Sequence, residues 1–293
     1  MDTQITIRGL RKSYGKKTAL DGIDLTVERG MFGLLGRNGA GKTTLMKILA
    51  TLLPANEGSV TVCGLPLKDA REVRRIIGYL PQDFSMYPGM GVAASLDYLG
   101  ILSGLDAETR SRRIPELLER VNLSDNAGTK VKALSGGMRR RLGIAQAILH
   151  DPKVLIVDEP TAGLDPEERI RFRNLLCEIA ENRIVLLSTH IVGDVEASCE
   201  QIAVLDRGRL LYSGEAEALA DTAQGKVFTA LVTRAELAKL RQECIVTEMH
   251  PAGGGLTEVR VLAQRPPCED AVSVEAGMED AYLWLMGGEE DVR

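Results

Sequence analysis

The chain has 293 residues, of which 44% are hydrophobic and 26% are charged, and its formal net charge is −5. This mildly acidic balance argues against broad nucleic-acid binding, because proteins that bind nucleic acids generally present a basic surface. No apolar run is long enough to cross a bilayer, and no secretory signal is predicted at the N-terminus. Five scattered cysteines, none at CxxC spacing, favour reduced thiols over a disulfide framework or a metal site. We expect one large domain, or a domain with an appendage.

The N-terminal segment is predicted to be rich in β-structure. Residues 5–10 and 19–27 alternate between apolar and polar side chains, which is typical of half-buried strands. Residues 11–16 are polar and predict a turn between them. Tyr14 lies in that predicted turn, where its ring would either cap a hairpin or stack on a purine base. The residues alone leave both roles open.

A phosphate-binding loop follows the next predicted strand. Residues 36–44 fit the pattern G-x-x-x-x-G-K-[ST], with an apolar run at 31–35 before them and another at 45–49 after them. This is the strand, loop and helix context that the motif requires. Its glycines let backbone N–H groups approach phosphate oxygens, and the helix directs its positive end at the same anion. Lys42 is expected to reach the β- and γ-phosphates, and Thr43 to offer a hydroxyl to Mg²⁺. A chance glycine-rich turn is the alternative.

The middle of the chain changes from strands to helices. A predicted strand at 76–82 is stopped by Pro81, with Gln82 just beyond it, and residues 83–150 have mostly helical character. Within them, residues 107–121 show the 3.6-residue apolar period of an amphipathic helix. Residues 134–138 open another helix with two glycines, which by geometry is a possible anion site. The three arginines at 139–141 are too few to indicate nucleic-acid binding.

Polar side chains end two predicted buried strands. The apolar run 154–157 is followed by Asp158 and Glu159, and the run at 184–187 leads to His190. Two adjacent carboxylates there are costly unless they pair with a cation or take part in chemistry. We expect Asp158 to hold Mg²⁺ and Glu159 to orient or deprotonate a water, a solvent-exposed acidic turn being the alternative. His190 alone would be structural, but in this setting contact with a γ-phosphate is favoured.

The C-terminal part of the chain predicts a small α+β unit. Strands are predicted at 226–233, 244–250 and 256–263, and helices at 234–242 and 278–286. The apolar residues of the last helix are expected in the core of this unit.

Taken together, these segments resemble the ATP-binding-cassette (ABC) ATPases, and in particular the exporter-type subunits. The motifs come in family order: Tyr14, the Walker A loop at 36–44, Gln82, the signature at 134–138, the Walker B strand at 154–159, the loop at 163–165, and His190. They span about residues 2–215. Two departures are visible: Met138 stands where glutamine is commonest, and residues 91–94 lack the usual Thr and Glu. The second departure predicts a helix that begins without a good cap.

The resemblance implies a fold and a division into domains. The fold class is α/β, with a RecA-like phosphate-loop NTPase core, an N-terminal antiparallel β subdomain and an inserted helical subdomain at about 83–150. The nucleotide-binding domain would span residues 1–215, and an α+β accessory domain would span residues 216–293.

The resemblance also implies the roles of the site residues. Glu159, His190 and Lys42 would be catalytic, with Glu159 the general base. Mg²⁺ would be held by Thr43, Gln82 and Asp158. The residues expected to contact ATP are Tyr14, Gly36, Asn38, Gly39, Gly41, Lys42, Thr43, Thr44, Gln82, Ser135, Gly136 and Gly137.

Finally, the resemblance implies partners. Ser135, Gly136 and Gly137 would act on ATP held by a second cassette, either another copy of this chain or a paralogue. Separate membrane-spanning permease subunits would place the protein at the cytoplasmic face of a membrane, and no nucleic acid is expected as a partner. The alternative is an ABC ATPase not coupled to a membrane, acting in translation, repair or iron–sulfur assembly. A neighbouring reading frame with about six apolar spans would distinguish the two.

Overall fold

A computed structural model describes residues 3–287 of the chain. The described residues group into two compact units that divide between Leu210 and Leu211. The assignment of residues 1–215 and 216–293 to a nucleotide-binding and an accessory domain stays a prediction. Among residues 3–287, none of the helices combines the length and the apolar character needed to cross a membrane.

The secondary structure follows the alternation of strand and helix patterns in the sequence. The strands are β1 Ile5–Tyr14, β2 Lys17–Val27, β3 Gly30–Leu35, β4 Glu57–Val62, β5 Leu65–Pro66, β6 Ile77–Leu80, β7 Val154–Asp158, β8 Ile184–Thr189, β9 Gln201–Asp206, β10 Arg209–Glu215, β11 Val227–Thr233, β12 Ile245–Gly253, β13 Leu256–Leu262 and β14 Val272–Ser273. The helices are α1 Lys42–Leu49, α2 Ala70–Ile76, α3 Val92–Leu102, α4 Ala107–Arg120, α5 Gly136–Ile148, α6 Pro166–Ala180, α7 Val192–Glu196, α8 Ala216–Asp221, α9 Arg234–Glu243 and α10 Met278–Gly287.

An antiparallel sheet in the order β2-β1-β4-β5 forms the N-terminal part of the first unit. The prediction that residues 11–16 form a turn is wrong for most of that segment, since β1 continues to Tyr14 and pairs Tyr14 with Lys17. The turn consists of Gly15 and Lys16. The polar residues of this segment do not show an apolar strand pattern. Lys12 is nevertheless buried, because its stem packs inside while its Nζ donates to the Pro54 carbonyl at 2.7 Å.

The central sheet has the order β10-β9-β3-β8-β7-β6. The pairs β3–β8, β3–β9, β6–β7 and β7–β8 are parallel. Every residue of β7 and β8 is buried, as the continuous apolar runs predict for strands covered on both faces. The register pairs Leu35 with Thr189 and Asp158 with Ser188. The carboxyl ends of β3, β7 and β8 therefore lie side by side at one edge of the sheet, and the predicted α/β fold class is confirmed.

The helical segment between β6 and β7 contains α3, α4 and α5. The predicted amphipathic helix is α4, which buries Ile114, Leu117 and Leu118. Helix α5 begins at Gly136, and the Ser135 hydroxyl caps it by accepting a hydrogen bond from the Met138 N–H at 3.2 Å. Helix α3 follows Gly91, which supplies no side-chain cap, as residues 91–94 predicted.

The second unit is built on an antiparallel sheet in the order β12-β13-β11-β14. Helix α9 begins with a capping box in which Thr233 and Glu236 satisfy each other's backbone N–H groups. At the start of α10, Asp280 accepts hydrogen bonds from Arg260 and from the Gly277 N–H. The small α+β unit predicted for the C-terminal part is confirmed, although β12 extends three residues beyond the predicted His250, to Gly253.

Candidate nucleotide-binding site

One cavity brings together most of the predicted nucleotide-binding residues. It lies at the carboxyl edge of the central sheet and has a volume of about 390 Å³. Its lining residues are Tyr14, Lys17, Ala19, Arg37, Asn38, Gly39, Gly41, Lys42, Thr43, Thr44, Gln82 and Glu159. Two larger cavities, of about 540 and 660 Å³, are lined by other parts of the first unit. Neither of them combines phosphate-binding backbone with a buried carboxylate.

The phosphate-binding loop wraps the N-terminus of α1, which starts at Lys42. Gly41 adopts a φ of 113°, and a Cβ at this position would lie 2.6 Å from the Ala19 carbonyl oxygen. Only glycine satisfies both conditions. The start of α1 and the loop residues that line the cavity suit an anion, because a helix N-terminus carries unpaired N–H groups and a partial positive charge.

Lys42 is almost fully buried, and its ammonium lies against three acceptors. Its Nζ donates to the carbonyl oxygens of Gly36 at 2.6 Å and Arg37 at 3.3 Å. It also forms an ion pair with Glu159, with Nζ lying 2.9 Å from Oε1. A buried charge is tolerable only when paired and hydrogen-bonded, and the ammonium meets both conditions. A phosphate oxygen that binds Lys42 must therefore replace one of these contacts.

Glu159 stands at the turn that leaves β7. Its φ of 49° lies in the left-handed region, which a non-glycine residue adopts at a cost. Its backbone N–H donates to the carbonyl and the hydroxyl of Ser188, each at 3.1 Å. His190 Nδ1 lies 2.6 Å from Glu159 Oε2, a distance at which a ring N–H donates to the carboxylate. The solvent-exposed acidic turn is excluded, since Glu159 is only 4% exposed.

Asp158 is fully buried beside Thr43 and offers an oxygen for a cation. Its Oδ1 accepts hydrogen bonds from the Ser188 hydroxyl and, at 3.3 Å, from the Thr43 hydroxyl. Its Oδ2 is buried and has no hydrogen-bond partner among residues 3–287. A buried carboxylate oxygen without a donor is costly. Carboxylate and hydroxyl oxygens are also the ligands that Mg²⁺ prefers, so these residues fit a magnesium ion.

Tyr14 lies at the rim of the cavity rather than in a turn. It is the last residue of β1, and its side chain is 48% exposed. The Lys12 ammonium lies 5.5 Å from the ring centroid. A half-exposed ring beside a phosphate site is available for stacking on a base.

The segment of Ser135, Gly136 and Gly137 does not line the Tyr14 and Lys42 cavity. Gly136 instead lines a separate cavity with Gln82 and residues 162–164. Ser135 and Gly136 are both exposed. Arg140 of α5 donates to the Gln82 carbonyl at 2.7 Å, and its burial lowers the pKa of this guanidinium. Within one chain, the predicted ATP contacts are therefore divided between two surfaces that share Gln82.

Sequence reasoning missed several residues of the site. Lys17 and Ala19 line the cavity because β1 and β2 pair as a hairpin beside it, with the turn at Gly15 and Lys16 and not across all of 11–16. Ser188 holds both Asp158 and the Glu159 backbone. A signal for Ser188 exists in the sequence, since it is a hydroxyl residue inside an otherwise apolar run.

Comparison with known proteins agrees with this geometry. A family model described as ABC transporter matches residues 20–162. The Nod factor export ATP-binding protein I of Cupriavidus pinatubonensis is 37% identical over 306 residues, covering 97% of this chain and 91% of the relative.

Solved structures show the same fold. An ATP-binding subunit of an ABC transporter has a TM-score of 0.68 and 29% identity, covering 75% of this chain and 92% of that one. A bacterial ABC transporter cassette solved as a dimer has a TM-score of 0.66 and 26% identity, covering 72% of this chain and 98% of that one. The RecA-like core expected from the motifs is thus confirmed at the level of the fold.

Proposed function

The chain belongs to the ATP-binding proteins of ABC transporters, an ATP-hydrolysing family, and we propose that it powers export through separate membrane-spanning subunits. The observation that carries the proposal is the meeting of Tyr14, the phosphate-binding loop, Gln82 and Glu159 in one cavity. Export is supported by the relative from C. pinatubonensis, whose name describes an export ATP-binding protein. The transported substrate would be selected by the membrane-spanning subunits.

In the proposed ATP complex, each part of the cavity has one task. Tyr14 stacks on the adenine ring, because its exposed aromatic face suits a purine. The backbone N–H groups of residues 36–44 and the positive end of α1 surround the phosphates. Lys42 exchanges its contact with Glu159 for a phosphate oxygen, which releases the carboxylate for chemistry.

Thr43, Gln82 and Asp158 are the proposed magnesium ligands. Support comes from the Thr43 hydroxyl that already contacts Asp158 and from the unpaired Oδ2 of that carboxylate. When bound, the ion would neutralise charge on the β- and γ-phosphates. Ser188 holds the other oxygen of Asp158 in place through its hydroxyl.

Glu159 is the proposed general base. Its carboxylate accepts a proton from the attacking water, and its left-handed backbone turns the side chain into the cavity. His190 contacts Oε2 of this carboxylate and is the proposed brace for the γ-phosphate. Both groups follow the ends of neighbouring strands, β7 and β8.

The base assignment is tested with Glu159→Gln, which keeps the size of the side chain but cannot accept the proton. We expect ATP binding to persist and kcat to fall by about 10²–10⁴-fold. The measurements are nucleotide affinity and steady-state phosphate release. Glu119→Gln, an exposed position on α4, is the matched control and is expected to behave as wild type. Normal turnover in Glu159→Gln would remove Glu159 as the base.

A second cassette is part of the proposal. ABC ATPases act as dimers with membrane permease partners, and homodimerisation is the simplest arrangement for this chain. Ser135, Gly136 and Gly137 of one copy would contact the ATP held by the other. Support comes from the exposure of Ser135 and Gly136 and from their location outside the Lys42 cavity.

The permease is proposed to dock on an apolar surface formed by Tyr87, Tyr98, Ile101 and Leu102. All four are large hydrophobic side chains that are at least 40% exposed. Tyr87 and Tyr98 are in edge-to-face contact, with ring centroids 5.3 Å apart. An exposed apolar surface of this kind marks an interaction site. Docking there would hold the chain peripherally at the cytoplasmic face of the membrane.

A further inference from the structure

A buried carboxylate outside the nucleotide-binding motifs links the two segments that carry Glu159 and His190. Asp194 of α7 is 1% exposed. Its Oδ2 accepts a hydrogen bond from the Thr161 hydroxyl at 2.6 Å, and its Oδ1 pairs with Arg169 Nε at 2.5 Å. Both carboxylate oxygens are thus satisfied, which is the condition for keeping such a charge buried.

The three residues of this network belong to three different segments of the chain near the site. Thr161 comes two residues after Glu159, and Asp194 comes four residues after His190. Arg169 belongs to α6, the helix that follows the loop at 162–165. The Asp194 carboxylate therefore links the segment that follows β7, the segment that follows β8 and the first turn of α6.

The β7–β8 pairing holds the backbone of Glu159 but does not extend to Thr161 or His190. The register between β7 and β8 ends at Asp158 and Ser188, before either Glu159 or His190 is reached. The Glu159 N–H makes one more hydrogen bond to the Ser188 carbonyl of β8, and Glu159 then turns the chain away with a left-handed backbone conformation. The hydrogen bond between Thr161 and Asp194 lies past the end of the strand pairing. It joins the segment after β7 to the segment after β8.

We propose that Asp194 is a positioning residue for ATP hydrolysis, which holds Thr161 so that the Glu159 carboxylate meets His190. The inference rests on the proposed roles of Glu159 and His190. Asp194 does not line the Lys42 cavity, so it acts through the backbone of residues 159–161 and not on the nucleotide. Displacements of about 1 Å at a reacting centre can lower turnover by about 10²-fold.

A solely structural ion pair is the competing interpretation, and it predicts a different pattern. Losing a buried pair lowers stability under both interpretations. If the role is positioning, a substitution in the network lowers turnover only when the Glu159–His190 contact is present. If the role is solely structural, the loss of turnover does not depend on that contact. Thr161→Val tests this cleanly, because it removes the hydroxyl at nearly constant shape and leaves Asp194 paired with Arg169. Asp194→Asn is less clean, because it removes the counter-charge of Arg169.

The experiment measures kcat, KM for ATP and thermal stability in the full-length chain. We expect Thr161→Val to lower kcat by about tenfold or more with KM changed by less than about twofold. Thr161→Ser, which keeps the hydroxyl, should restore kcat. In a His190→Ala background, Thr161→Val should have little further effect, since the contact that it aligns is already gone.

Ser198→Ala is the matched control on α7. The Ser198 hydroxyl donates to the Asp194 carbonyl, not to its carboxylate, so its removal should leave kcat near the wild-type value. An unchanged kcat in Thr161→Val, or an equal loss in both backgrounds, would overturn the positioning role. If Glu159→Gln loses turnover while Thr161→Val does not, this inference fails and the proposed function stands. If Glu159→Gln retains turnover, the base assignment itself fails.

Discussion

At the scale of single residues, Gly36 and Gly39 need glycine for different reasons although both belong to the phosphate-binding loop. A Cβ on Gly36 would lie 2.3 Å from the Leu205 carbonyl oxygen, which belongs to rigid backbone. A Cβ on Gly39 would meet nothing within 4 Å, but Gly39 has a φ of 84°. The first position excludes a side chain by contact, and the second only by backbone conformation.

This difference predicts unequal effects for two alanine substitutions. Gly36→Ala should force the loop away from β9, which costs about 1–3 kcal/mol of stability and weakens ATP binding. Gly39→Ala should cost about 1–2 kcal/mol through backbone strain and leave the loop in place. Thermal unfolding and titration with a fluorescent ATP analogue measure both quantities. Equal ATP affinity in the two variants would show that the Leu205 contact does not set the position of the loop.

The site residues differ in how readily the sequence reveals them. Asp158, Glu159 and His190 are recognisable because polar side chains end continuous apolar runs, and parallel strands carry ligands at their carboxyl ends. The link between Thr161 and Asp194 has no such signal. The two residues are separated by 33 positions, and their contact depends on β7 and β8 being neighbours in the sheet. Strand order arises from tertiary packing, which local patterns do not encode.

At the scale of elements, β1 shows where a sequence pattern misleads. Residues 11–13 are polar, yet they continue the strand because β2 pairs with all three of them. Arg11 pairs with both neighbours, opposite Asp21 and Glu57. Pairing with β2 along the whole segment, and with β4 at Arg11, thus overrides a weak local preference for a turn. Strands β7 and β8 of the central sheet were recognisable because burial on both faces requires unbroken apolar runs.

The segment between α5 and β7 contains His150, whose charge depends on the fold. His150 Nε2 donates to the Ile77 carbonyl at 3.1 Å. Burial lowers the pKa of His150 below its ordinary value of 6.5, and the Arg113 guanidinium lowers it further, although the Ile77 bond and Asp151 oppose the shift. The unfolded chain therefore takes up this proton at a higher pH than the folded protein does. The contribution to stability is present above pH 6.5 and is lost as the pH falls through the lowered pKa.

This linkage predicts a loss of stability on acidification that His150→Gln should reduce. Glutamine does not titrate, and its amide N–H can still donate to Ile77. The measurement is the free energy of urea unfolding between about pH 7.5 and about pH 5. His250→Gln is the control, because the His250 side chain is 69% exposed. If His150→Gln and the wild type lose stability in parallel, the buried imidazole is not the source of the pH dependence.

At the scale of the whole molecule, the proposed ATP contacts of the first unit are divided between two surfaces. The Lys42 cavity contains the phosphate-binding loop and the proposed base, and the exposed Ser135 and Gly136 lie on another surface. Gln82 borders both surfaces, and Arg140 of α5 holds its carbonyl. In the proposed dimer, each cassette would complete the site of the other. ATP would therefore act as part of the dimer interface.

The dimer model makes a prediction at Ser135, where capping and ATP contact can be separated. Ser135 caps α5 through its hydroxyl, and Asp and Asn are equally good caps. Ser135→Asp and Ser135→Asn should therefore keep the stability of the fold. Only the aspartate places a negative charge where the triphosphate of the second copy would bind. In a Glu159→Gln background, we expect ATP to drive dimerisation with serine or asparagine at position 135, and to leave the aspartate variant monomeric.

Light scattering with and without ATP measures the dimer, and nucleotide titration measures binding to the monomer. Because Ser135 does not line the Lys42 cavity, ATP affinity of the monomer should be the same in all three proteins. A uniform loss of affinity would mean that Ser135 acts on ATP within its own chain. Dimerisation of the aspartate variant at the same ATP concentration as its parent would show that this surface does not face the phosphates. If only the aspartate variant fails to dimerise, the failure is caused by its negative charge, since both substitutions preserve the cap of α5.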